Sequence, residues 1–167
     1  MPILMTMGVK AVYYAPINST DPKVMPTTGF KKLDVYQDTC SFVDKDPTIT
    51  VHKSETSAKK IVQKTKEGSE LIFSIMDPSF DELVSFEGGT VSGTEGARKY
   101  KEPATSKNIE LAIKILPEAG NALNIPCAAV VAKKNTTYSS KGITLLDCTI
   151  EPLYEVEYDE DVTEPTL

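Results

Sequence analysis

The 167-residue sequence has no tryptophan, one histidine and three cysteines, and each shortage removes a class of function. His52 cannot complete a zinc set with Cys40, Cys127 and Cys148, which include no CxxC pair. A Ser-His-Asp triad would have to be built on His52, and no nucleophile elbow accompanies it. The missing tryptophan weakens any aromatic platform for a sugar. An odd thiol count fits a reducing compartment, and Cys127 and Cys148, in apolar runs, read as small core residues. No apolar run approaches the ~20 residues of a membrane helix. Met1–Gly8 lacks a basic n-region and a long apolar h-region, so no secretory signal is predicted and synthesis in the cytoplasm is expected. There is no Walker sequence and no GxGxxG opening a helix; the glycines from Gly88 to Gly93 follow a helical pattern, and the first two read as its cap. Neither an enzyme nor a cofactor or metal site is predicted.

Positive charge is also scarce. The net charge is −6, and the stretch Glu151–Glu164 holds seven carboxylates with no Lys or Arg. A general nucleic-acid binder would carry the opposite balance, because it must displace counterions from phosphates. The acidic stretch reads either as a solvated tail or as a negative surface with a use.

What is present is mostly strand. The length predicts one domain, residues 1–167, with a long loop at about 16–47 and an acidic extension at about 151–167. Gly8–Ala15, rich in Val and Tyr, predicts a strand. The loop carries turn signals at Asn18-Ser19, Asp21-Pro22, Pro26 and Gly29, yet it is dotted with Val24, Met25, Phe30, Leu33, Val35, Tyr36 and Phe42. Those groups must bury either on their own domain or on a neighbour. Thr48–Lys53 predicts a strand, and the lysine-rich Ser57–Lys66 fits a solvated edge strand or a short helix. Glu70–Met76 places Leu71, Phe73 and Ile75 on one face. Asp77-Pro78 opens a helix, with Asp77 as N-cap; Phe80, Leu83 and Val84 form its apolar stripe and Gly88-Gly89 end it. Asn108–Leu116 alternates with period two, Ile109, Leu111, Ile113 and Ile115 against Glu110 and Lys114. Ile125–Lys134 and Lys141–Ile150 follow as strands, and Tyr154–Asp159 alternates again. The fold class expected is mainly β: an antiparallel β-sandwich or half-barrel of two packed sheets with one short flanking helix.

The segment Glu67–Thr90, EGSELIFSIMDPSFDELVSFEGGT, resembles the major tail tube proteins of long-tailed bacterial viruses. The strand Leu71–Met76, the Asp77-Pro78 helix start, Leu83 and the Gly88-Gly89 pair carry the resemblance, and the order of elements agrees over most of the chain. The related tubes of type six secretion share the architecture. The resemblance implies a structural subunit of a virion tail, assembled in the bacterial cytoplasm. Six copies would close a ring, rings would stack into a tube, and genome DNA would pass through without specific binding. Other tail proteins would be its further partners, and no membrane is implied. It also implies that the long loop reaches an adjacent ring, making Val24, Met25, Phe30, Leu33, Val35 and Tyr36 interface residues. The alternative that strand count and acidity fit equally is an extracellular β-sandwich module for adhesion or carbohydrate binding.

Overall fold

The computed structural model describes residues 7–167; Met1–Thr6, the start of the stretch read for a secretory signal, lie outside the described residues. The fold is mainly β and antiparallel, with one short helix. Its centre is β9 (Ile109–Leu116), whose alternation sends Leu111, Ile113 and Ile115 into the main core. On one side β9 pairs with β1 (Ala11–Pro16), Val12 opposite Ile115 and Tyr14 opposite Ile113. On the other it pairs with β10 (Ala122–Thr136), the longest strand at 15 residues.

β10 joins the two halves of the fold. Its pairing with β9 shifts register between Ile125 and Ala128, around Pro126, which has no N–H to give to a ladder. Past that bulge the strand runs beside β11 (Thr144–Pro152), which pairs with β6 (Ser69–Met76), which pairs with β3 (Ser41–Asp44). The start of β10 takes the short C-terminal β12 (Glu157–Asp159) on its other edge. The sequence predicts two sheets packed face to face; both layers turn out to be halves of one sheet, continuous through β10.

The segment 31–44 draws the two edges of that sheet together. Its first part, β2 (Lys31–Leu33), pairs with β1. Two residues later Val35 bridges Ile75 of β6, flanked by Tyr36 N–H to Ser74 O at 2.8 Å and Met76 N–H to Asp34 O at 2.7 Å. Closure removes exposed edges, the general hazard of open sheets. Inside lies one apolar cluster in which Val12, Leu71, Phe73, Ile113, Ile125 and Ile150 are fully covered.

The helix α1 (Phe80–Glu87) starts later than the Asp77 cap read from sequence. Ser79 is the N-cap: its hydroxyl accepts from Glu82 N–H, and the Glu82 carboxylate accepts from Ser79 N–H. Asp77 instead adopts a positive φ of 47°, turning the chain out of β6. Gly88, at φ 82°, ends the helix as expected. Gly89 has a different role: a Cβ there would collide with the Tyr100 ring and the Lys101 carbonyl. That close approach admits the small hairpin of β7 (Thr90–Ser92) and β8 (Lys99–Lys101) beside the helix end. Phe86 buries against Tyr14 and Phe73, both edge-on, and so fixes α1 to the main core.

Candidate functional site

The interface residues named from sequence separate into two groups. Phe30 and Leu33 are each only 3% exposed. Leu33 belongs to the main core, and Val35, half-buried, packs on it. Phe30, with Met25 beside it, covers Ala11, Tyr13, Ala15 and Ala112 on the outer face of β1 and β9. Val24 and Tyr36 remain exposed. The segment 16–47 is therefore partly ordered as β2 and β3, and much of its apolar surface is used by its own body.

A different element stands free. The strands β4 (Thr48–Lys53) and β5 (Lys60–Thr65) pair with each other alone. Of the two readings of Ser57–Lys66, the strand is the one found. Every residue from Val43 to Glu67 is exposed. Six paired residues per strand at about 3.3 Å each make an arm roughly 20 Å long. Its turn is built locally: Ser54 Oγ accepts from the amides of Thr56 and Ser57, and Ser54 N–H continues the ladder to Lys59 O.

The register divides the arm into two unlike faces. Thr48, Thr65, Thr50, Gln63, His52 and Ile61 share one, which is largely polar. The other brings together Ile49, Val51 and Val62, flanked by Lys64, Lys53 and Lys60. The lone histidine thus sits exposed on the polar face, opposite Ile61. Sequence reading identified Ile49 and Val51 as sharing a face but missed the arm, because partner choice between strands is not a local property. The available signal was a second β-branched pair, Ile61-Val62, within one turn's distance.

At the arm's root lies the acidic C-terminal stretch. Lys45 Nζ contacts Glu151 at 3.0 Å, and Lys66 shares a shallow cleft with Leu153, Tyr154 and Val156. Leu153, Tyr154, Tyr158 and Val162 are each 40–47% exposed, and carboxylates alternate with them.

A larger cleft of about 990 Å³ opens where the start of β1, the segment 32–42 and the β9–β10 turn meet. Asp34, Asp38 and Glu118 line it together with Lys10 and Lys32. Among the described residues no three His, Cys, Asp or Glu side chains come close enough to hold a metal ion. The thiols are poor nucleophiles: burial pushes Cys40 up to about 11, and burial, then the neighbouring acid, raises Cys127 and Cys148 as well. No helix among the described residues is long and apolar enough to cross a membrane. Comparison with known proteins finds no matching family and no significantly similar curated protein.

Proposed function

We propose that this chain is a structural subunit that assembles with copies of itself into rings stacked as a tube, like the tail tube proteins it resembles. The observation that carries the reading is the free β4–β5 arm. A lone two-stranded hairpin is marginal in water, and this one exposes Ile49 (56%), Val51 (42%) and Val62 (47%) on one face. An arm that presents β-branched side chains to solvent along its length finds its stability in a partner. A heterologous contact between an arm and a distant patch on the next copy propagates, as a tube requires. In this reading six copies form each ring, DNA passes through the lumen, and the product is a virion tail component with other tail proteins at its ends.

Negative-stain electron microscopy and sedimentation of the full chain over a concentration series test this directly. Rings or tubes growing with concentration are the expected result. A monodisperse monomer at every concentration overturns it.

A further inference from the structure

The partner surface for the arm is written in the charge distribution. The arm, Thr48–Thr65, carries four lysines against one glutamate, a net +3 in a chain whose total is −6, leaving −9 on the remainder. None of those four lysines forms an ion pair among the described residues. Glu155, Glu157 and Glu160 on the C-terminal stretch are likewise without one. One polypeptide therefore displays lysines without ion pairs on an arm and carboxylates without ion pairs on a separate stretch, where Lys23 and Lys66 share a cleft with Glu155.

Each surface also sets apolar groups beside its charges. The arm offers Ile49, Val51 and Val62 bracketed by Lys53, Lys60 and Lys64. The C-terminal stretch offers Leu153 and Tyr154 beside Glu155, while Tyr158, opposite Leu123, turns toward the larger cleft. Opposite charges flanking apolar groups steer association and fix register. The chain's own patch does not cover its own arm: the two meet only at the arm's root, and the strands run on exposed along their whole length.

We propose that the Ile49/Val51/Val62 face of the arm docks on the Glu151–Asp161 segment of a second copy of this chain. The inference rests on the self-assembly reading and names the surface that assembly uses. It makes the arm–patch contact partly electrostatic, so assembly weakens as salt rises.

Charge reversal with complementation tests it. The variant K53E/K60E/K64E alters only the arm, and E155K/E157K/E160K alters only the patch; all six positions are exposed, and circular dichroism checks that each variant folds. Each variant alone is expected to need about tenfold more protein, or beyond, to assemble. Mixed in equal amounts they are expected to co-assemble near the wild-type concentration, because every arm then meets a patch of opposite sign. If the wild type assembles and both folded variants do so at its concentration, or if the mixture shows no recovery, the docking surface is wrong while self-assembly stands. If the wild type does not assemble, both proposals fall together.

Discussion

Ser79 and Glu82 secure the first turn of α1 by exchanging hydrogen bonds, and they predict opposite outcomes on substitution. Ser79→Ala loses the cap and is expected to cost about 1 kcal/mol of stability. Glu82 is under a different influence: burial raises its carboxyl above the usual range, the Ser79 amide opposes this, and Asp34, Asp77 and Asp81 add repulsion. A carboxyl raised by folding favours the folded state below its unfolded pKa, and that benefit disappears as pH rises through the folded value. At neutral pH the ionised side chain is thus a net burden. Glu82→Gln keeps an oxygen for the Ser79 amide and removes the charge. Its melting temperature should equal or exceed wild type at neutral pH, with the advantage gone below the carboxylate range; thermal scans across pH decide it. The thiols give another residue-level expectation. With all three cysteines raised by burial, a thiol reagent at mildly alkaline pH should label none in the native chain and all three in denaturant.

At the scale of elements, the arm and the segment before it differ in what their removal would disturb. A cut through 27–36 would remove Phe30 and Leu33 from two apolar clusters, whereas residues 48–65 touch neither. Replacing 48–65 by a short Gly-Ser turn is therefore expected to shift the melting temperature by less than about 4 °C, the equivalent of roughly 1 kcal/mol in a domain this size. Trypsin should cut first at Lys59 or Lys60, at the exposed tip, and the same bonds should be protected in assembled material. Rapid cleavage there in assemblies would mean the arm stays free. Sequence made β9 and β6 legible because each buries one face, and period two survives in the residue order. The helix start was misplaced because Asp77 and Ser79 are both capping residues, and only the chain's turn out of β6 selects between them. The length of β10 was hidden because Ala122–Asn124 follow directly on the turn-forming Gly120-Asn121, and only their pairing with β9 and β12 shows that the strand has begun. Destinations of Phe30, Leu33 and Val24 were unreadable, since an irregular segment has no period to say which side faces a core.

For the whole molecule, charge is the property that assembly multiplies. In the proposed ring, six copies at −6 would carry −36, six times the chain's own value. In the proposed tube the arm lysines are covered by neighbouring carboxylates, so the groups best able to hold phosphates are withdrawn as the particle forms. The free chain, with a net +3 on an exposed arm, keeps that local attraction. A phosphate contact from lysine releases counterions and weakens steeply with salt, so any attachment by the free chain belongs to low ionic strength. A negative wall repels duplex and lets it slide, which is what a conduit needs. Assemblies formed at about 0.15 M salt, where charges more than about 8 Å apart in solvent are largely screened, should leave added duplex DNA unshifted in electrophoresis. Lowering the salt should produce a shift with the free chain before it does with assemblies. Assemblies that retain duplex at the higher salt would have their cations facing the nucleic acid, a geometry that neither a sliding conduit nor an arm buried on an acidic neighbour permits.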